Sequence, residues 1–108
     1  MNYKLAKQLK DAGLTQPYYY RANKAWYDED GDFNDYGYDE RDTYIPKLEE
    51  LIDACGSHFS NLIYGYLSGT FRAYGFSDLT EGIDDEVCID WCKTPTEAVA
   101  RLWLELNK

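Results

Sequence analysis

The pattern of apolar and polar positions is clearest near the C-terminal end, where it predicts a helix over residues 95–106. Thr94 precedes Pro95 there, and Glu97 follows at the third helical position, so the segment opens with a capping box and a first-turn proline. Glu97 and Arg101 are spaced to pair on the polar side. The apolar face consists of Ala98, Val99, Leu102, Trp103 and Leu106.

The same periodicity predicts two further helices, over residues 2–12 and 46–55. Gly13 and Gly56 follow them and can adopt the left-handed conformation that ends a helix, while Pro46 is suited to open the later one. The apolar stripes consist of Leu5, Leu9 and Ala12 in the first helix and of Leu48, Leu51, Ile52 and Cys55 in the second.

Between the helices the period changes to two, which is typical of strands. Val87, Ile89 and Trp91 stand at alternate positions and are expected to face one side of a strand, and Ser68-Gly69 is a hairpin signal. The predicted strands cover residues 18–26, 44–45, 58–67, 70–76 and 86–91. We therefore predict a single α+β domain over residues 1–108, with a small antiparallel sheet of about four to five strands packed by about three helices.

The charge of the chain is concentrated in residues 28–42, which we call the acidic segment and expect to be a loop. It holds eight carboxylates and one base, Arg41, and so accounts for seven of the nine net negative charges. This charge argues against direct binding to nucleic acid or to an anionic membrane, since both would repel it. It favours a basic partner protein, a metal ion, or simply a solvated surface that keeps the protein soluble.

The remaining composition indicates a cytoplasmic protein. The N-terminal residues lack the apolar core of a signal peptide, and no run of about 18 apolar residues occurs. Three cysteines, an odd number without a framework spacing, are typical of a reducing compartment. Eleven tyrosines suit a half-buried sheet or an interface, and they leave a homodimer open.

A calcium site is one alternative for the acidic segment, because Asp28, Asp30, Asp32 and Asn34 place oxygen ligands at alternate positions. An EF-hand loop counted from Asp28 would require glycine at the sixth position and glutamate at the twelfth. The chain has Phe33 and Asp39 there. The spacing is therefore only a partial match.

Catalytic machinery is not recognisable in the sequence. His58 is the single histidine, and no nucleophile-elbow, P-loop or dinucleotide-binding glycine pattern occurs. Cys88 and Cys92, with His58 and Cys55, do not form a zinc-ligand spacing. We predict that the protein is not an enzyme and uses no cofactor.

The distribution of charge favours a binding function. A second acidic cluster contains Asp78, Glu81, Asp84, Asp85, Glu86 and Asp90. Carboxylates interleaved with aromatic rings can imitate the phosphates and bases of a nucleic acid in a basic channel. The predicted partner-binding residues are Asp28, Glu29, Asp30, Asp32, Phe33, Asp35, Tyr36, Tyr38, Asp39, Glu40 and Asp42, with Asp84, Asp85 and Glu86 as an auxiliary patch.

Two segments resemble a group of small uncharacterised proteins encoded by phages and prophages. They are Leu-Glu-Glu-Leu-Ile-Asp-Ala-Cys-Gly at 48–56 and Thr-Pro-Thr-Glu-Ala-Val-Ala-Arg-Leu-Trp-Leu-Glu-Leu-Asn-Lys at 94–108, and the segments 7–13 and 18–20 are also similar to that group. The acidic segment is longer than the corresponding connections of the group. The resemblance implies a setting in which small acidic proteins often inhibit host defence, as anti-CRISPR and anti-restriction proteins do.

A second resemblance is to the antitoxin half of HicA/HicB-type systems, in which a sheet leads through a similar turn into a helix. The turn here is Cys-Lys-Thr-Pro-Thr-Glu-Ala at 92–98, with Cys92 in place of the usual glycine. The leading hypothesis is a non-enzymatic, phage-derived acidic protein that inhibits a host defence nuclease by occupying its basic nucleic-acid-binding surface. A calcium-binding structural or regulatory module and a HicB-like antitoxin are the alternatives.

Overall fold

Three α-helices and six short strands make up the part of the chain that the structure describes. This structure is a computed structural model, and it describes residues 1–17, 24–35, 37, 39–77 and 86–107. The elements are α1 (Tyr3–Asp11), β1 (Trp26–Tyr27), β2 (Phe33–Asn34), β3 (Thr43–Tyr44), α2 (Leu48–Cys55), a 3₁₀ turn (Gly56–His58), β4 (Phe59–Gly65), β5 (Thr70–Phe76), β6 (Glu86–Cys88) and α3 (Pro95–Leu106). The predicted α+β class is confirmed.

The chain divides into two compact units, Met1–Pro46 and Lys47–Lys108. In the described residues, each unit contains one three-stranded antiparallel sheet, with the strand orders β2-β1-β3 and β4-β5-β6. The strands therefore form two sheets instead of the one sheet expected, and the description of the whole chain as a single domain stays a prediction. No helix in the described ranges is both long and apolar enough to cross a membrane.

The first unit combines α1 with the sheet β2-β1-β3. The Asn2 side chain caps α1 by accepting a hydrogen bond of 2.8 Å from the Leu5 backbone N–H. Trp26 lies in the central strand, where it is paired with Asn34 on one side and Tyr44 on the other. Its side chain is fully buried and its ring lies 5.3 Å from that of Tyr44. The sheet is thus organised around Trp26.

In the second unit, α3 packs against β5 and β6, and α2 packs against α3. Gly75 in β5 provides the close approach between sheet and helix. A Cβ atom there would lie 2.5 Å from the His58 carbonyl oxygen and 3.3 Å from both Leu102 methyl groups. Only glycine fits this crowded position without moving backbone.

The helices lie close to the positions predicted for them. Helix α3 has the predicted bounds, its Thr94 side chain accepts a hydrogen bond from the Glu97 N–H, and Glu97 pairs with Arg101. Gly13 and Gly56 adopt positive φ values of 98° and 58° after their helices. Helix α2 begins two residues after the expected Pro46, because the Glu50 carboxylate accepts the N–H of residue 47 and fixes the start there.

The strand predictions need more correction. The β4–β5 turn contains four residues, Tyr66–Gly69, and β6 ends at Cys88 instead of residue 91. After Cys88 the Ile89 carbonyl accepts a hydrogen bond from the Arg72 side chain, and the backbone then pairs as an isolated bridge between Phe71 and Cys92. Ile89 is buried, but Trp91 is 43% exposed with its ring 5.0 Å from the Arg72 guanidinium. The prediction that Ile89 and Trp91 face the same side of a strand is therefore wrong.

Candidate binding surface

The first part of the acidic segment is a structured hairpin turn between β1 and β2. The Asp28 N–H donates to the Asp32 carbonyl at 2.8 Å, while the Asp28 carboxylate accepts from the N–H groups of Asp30 and Asp32, both at 2.9 Å. Gly31 has φ 85° and leaves room for the Tyr3 ring, which a Cβ would approach to 3.3 Å. The prediction of a loop over 28–42 is therefore wrong in part, since β2 lies within it. An aspartate that accepts from the next backbone groups is a common way to fix a turn.

The second part of the acidic segment is a turn fixed by Asp39. The carboxylate of Asp39 accepts from the Arg41 N–H at 2.9 Å and from the Arg41 guanidinium at 2.7–3.2 Å. The N–H of Asp39 in turn donates to the Asp42 carboxylate at 3.2 Å. Arg41 also lies 3.8 Å from the Glu29 carboxylate, so it joins the two turns. The side chain of the single base in the segment thus contacts one carboxylate in each turn.

Lys10 of α1 attaches the second turn to the helix. Its ammonium group donates to the backbone carbonyls of Glu40 and Asp42, at 2.7 Å to Asp42. Burial lowers the pKa of Lys10, as does the nearby charge of Lys7, against the opposing effect of neighbouring carboxylates. Both hydrogen bonds from Lys10 are accepted by backbone carbonyl oxygens. They do not involve the Glu40 side chain, which is exposed.

Replacing Lys10 by methionine is expected to destabilise the protein by roughly 1–3 kcal/mol, because two carbonyl groups lose a charged donor while the aliphatic contact is retained. The measurement is the free energy of unfolding in urea. Lys4→Met is the matched control, since Lys4 is exposed on the same helix. Equal losses in the two variants would contradict the attachment.

The Asp39–Arg41 contact has an electrostatic consequence. Hydrogen bonds from the Arg41 side chain and backbone lower the pKa of Asp39 to about 2. The same contact raises the pKa of Arg41. Both groups are therefore charged throughout the neutral range.

The lowered pKa predicts a loss of stability in acid. A carboxyl whose pKa is lower in the folded than in the unfolded state stabilises the fold above the unfolded value, near 3.8, and that contribution disappears as pH falls through about 2. We expect the melting temperature of the wild type to fall more between pH 5 and pH 2 than that of Asp39→Asn. Parallel curves for the two proteins would show that Asp39 has no such role.

The carboxylates that could meet a partner are mostly at the surface. Phe33 is 61% exposed at the start of β2, which is unusual for a phenylalanine. The exception is Asp42, which is buried with only 6% of its surface exposed. Its carboxylate therefore has a structural role, and the prediction that it contacts a partner is corrected. Asp28 and Asp39 are half-buried in their turns. The exposed carboxylates of the segment are Glu29, Asp30, Asp32, Asp35 and Glu40.

An open pocket of about 270 Å³ lies between the two turns, and its lining includes Asp28, Asp30, Asn34, Asp39, Arg41 and Asp42. Three of the four predicted calcium ligands line it, but Asp32 does not. Within the described residues, no three or more His, Cys, Asp or Glu side chains are arranged to hold a metal ion. The calcium alternative therefore receives no support from the arrangement of these side chains.

Four of the predicted partner-binding residues lie outside the described residues: Tyr36, Tyr38, Asp84 and Asp85. Glu86, the remaining member of the auxiliary patch, is exposed at the start of β6 in the second unit. Gly37 is described and buried, and a Cβ there would lie 2.5 Å from the Trp26 ring. The acidic segment thus touches the core of its unit at a glycine.

Sequence reasoning missed the residues that hold the acidic segment. Lys10 is one of several lysines on α1, and nothing in the spacing distinguishes it, since it binds backbone carbonyls some 30 residues away. The turn-forming role of Asp28 has a recognisable signal, an aspartate two residues before another polar residue and three before a glycine.

Comparisons with protein-family models, with curated proteins and with solved structures found no match to this chain. The resemblances to phage-encoded proteins and to the HicB antitoxin therefore stay predictions from the sequence.

Proposed function

We propose that this protein is a non-enzymatic binding protein that docks its acidic segment on a basic surface of a partner protein. The partner class is a nucleic-acid-binding nuclease of bacterial defence, and the protein occupies the groove that otherwise holds nucleic acid. The observation that carries the proposal is the set of exposed carboxylates that flank the exposed Phe33 in the sequence, on turns held by Lys10, Asp28 and Asp39.

A fixed backbone supports this proposal because ordering a loop on binding costs free energy. In the turn at Asp28–Asp32 the backbone is held by three hydrogen bonds of 2.8–2.9 Å. The carboxylates at positions 30 and 32 are therefore displayed on a surface that needs little rearrangement. A positive groove that accepts phosphates would attract the same pattern of charge.

Phe33 supports a protein groove over a simple counter-ion. An exposed ring between carboxylates adds no solubility, but it can stack where a base would stack in a nucleic-acid site. The setting, a phage protein that acts within a bacterial cytoplasm, rests on the resemblance of residues 48–56 and 94–108.

The first experiment is an affinity capture of the tagged full chain from bacterial lysate, with binding at low salt and elution at high salt. We expect a basic nucleic-acid-binding protein to elute in stoichiometric amount, because contacts between exposed charges weaken as salt screens them. The eluted protein is then titrated with DNA in the presence of increasing amounts of this chain. Competition between the two supports the proposal.

Two outcomes would contradict it. Elution of only weak background would leave the carboxylates as a solvated surface. A partner that binds this chain and DNA at the same time would exclude occupation of the groove. Neither the calcium module nor the HicB-like antitoxin is favoured by a specific observation.

A further inference from the structure

We propose that the protein forms a homodimer in which the β4 strands of two copies pair antiparallel across a two-fold axis. This inference is independent of the proposed function, since it concerns the second unit and a different kind of contact.

The first observation is the position of β4. The sheet order is β4-β5-β6, so β4 lies at an edge. Among the described strands of this sheet it pairs with β5 alone, on one of its two sides. At seven residues, Phe59–Gly65, it is long for an edge. An open edge presents backbone N–H and C=O groups that another extended strand can satisfy.

The second observation is the absence of charge along this edge. Residues 54–71 contain no Asp, Glu, Lys or Arg, and they form the longest such stretch of the chain. The other 90 residues hold all 31 charged side chains. Proteins commonly protect an open edge with a lysine, a proline or an inward charge, because it otherwise pairs with another chain. None of these residues is present in β4, whose one irregularity against β5 is a register shift between Phe59 and Asn61, at its start.

The third observation is the exposure of large apolar side chains along the same stretch. Ile63 and Tyr64 near the end of β4 are 39% and 56% exposed, and at the turn Tyr66 and Leu67 reach 83% and 96%. Single exposed apolar side chains are ordinary, but four of them within five residues, at the end of an edge strand, indicate an interaction site. The group continues directly from the open strand edge.

The charge pattern indicates a second copy as the occupant. Each chain carries −9, so two copies repel unless they meet where neither presents carboxylates. Antiparallel pairing places the turn Tyr66–Gly69 of one copy beside Gly56–His58 of the other, and both lie within residues 54–71. An isologous contact thus brings two uncharged stretches of chain together. A basic partner of the kind proposed for the acidic segment finds no carboxylate here.

The test is sedimentation equilibrium of the full chain from low micromolar to submillimolar concentration. We expect the mass to rise from 12.6 kDa to twice that value. Ile63→Lys places two ammonium groups near the axis, and we expect it to stay monomeric over the same range. Phe33→Lys is the matched control, because it adds the same charge at an exposed apolar residue of the other unit, and it should dimerise like the wild type.

Salt separates this inference from the proposed function. Raising the salt concentration screens the repulsion between the two −9 chains and should strengthen the dimer, whereas it should weaken docking on a basic partner. In the same way, Ile63→Lys should retain partner binding and Phe33→Lys should retain the dimer. A failure of the dimer proposal can therefore be distinguished from a failure of the proposed partner binding.

Hydrogen exchange tests the dimer in the wild type alone, so its result does not depend on whether a variant folds. Amides of residues 59–65 should become more protected as the protein concentration rises, while those of α1 should not change. A wild type that is monomeric at every concentration would overturn the proposal. A dimer that Ile63→Lys leaves intact, or whose concentration-dependent protection lies outside β4, would overturn it as well.

Discussion

Replacing Trp26 by alanine is expected to destabilise the protein by about 3–5 kcal/mol, the largest effect of any single substitution that we predict. The side chain is fully buried in the central strand of the first sheet, against the Tyr44 ring. Gly37 lies so close to the indole that the surrounding backbone is shaped to it. A cavity of this size cannot close without moving two strands.

Trp91→Ala is the matched control, since it removes the same side chain from a position that is 43% exposed. We expect it to cost roughly 1 kcal/mol, mainly the contact of the ring with the Arg72 guanidinium. Both free energies are measured by urea unfolding followed by far-UV circular dichroism. A loss for Trp26→Ala no greater than that for Trp91→Ala would show that Trp26 does not organise its unit.

The second large effect concerns binding. Neutralising three exposed carboxylates together, as Asp30→Asn, Asp32→Asn and Asp35→Asn, is expected to weaken partner binding about tenfold, since exposed ion pairs contribute roughly 0.5 kcal/mol each. The dependence of affinity on salt should also become shallower. Asp28 and Asp39 are left unchanged, because their carboxylates hold the turns together.

The control for this variant changes the net charge by the same amount elsewhere. Asp11→Asn, Glu49→Gln and Asp53→Asn alter exposed carboxylates outside the acidic segment. We expect near wild-type affinity and salt dependence for this protein, measured by titration calorimetry against the captured partner. If the two triple variants lost affinity equally, only net charge would matter, and the acidic segment would not be the binding site.

The helices could be predicted from the sequence because their signals are local. The cap at Thr94 and the pair Glu97–Arg101 lie within one or two turns of the chain, and the stop at Gly56 depends on one residue's conformation. Such signals need no knowledge of the rest of the fold. The two sheets could not be predicted in the same way.

Strand pairing depends on contacts between residues far apart in the sequence. Phe33 and Asn34 lie in a polar, acidic run with little strand propensity, and they form β2 only because they pair with Trp26 and Tyr27. Similarly, β6 ends at Cys88 although the alternation of residues continues to Trp91, because the Arg72 side chain takes the Ile89 carbonyl and backbone pairing resumes only at the bridge between Phe71 and Cys92. In both places tertiary pairing overrides the local pattern.

The negative charge of the candidate site could be predicted from the sequence, but the contacts that fix its backbone could not. Eight carboxylates in fifteen residues can be counted directly, and most of them are exposed in the structure. Their division into displayed and structural groups could not be predicted, because the buried position of Asp42 and the turn at Asp39 depend on Lys10 and Arg41.

The attachment of Lys10 to backbone carbonyls has a consequence for how this protein can change over generations. A contact with main-chain oxygen does not depend on which side chain stands at position 40, and the tips of the turn at positions 29 and 30 are exposed. Substitutions at positions 30 and 40 can therefore change the exposed side chains of the acidic segment without removing a contact that holds its turns. In the first unit, the exposed positions of the acidic segment can therefore vary during evolution while Lys10, Trp26 and Gly37 maintain the structure beneath them.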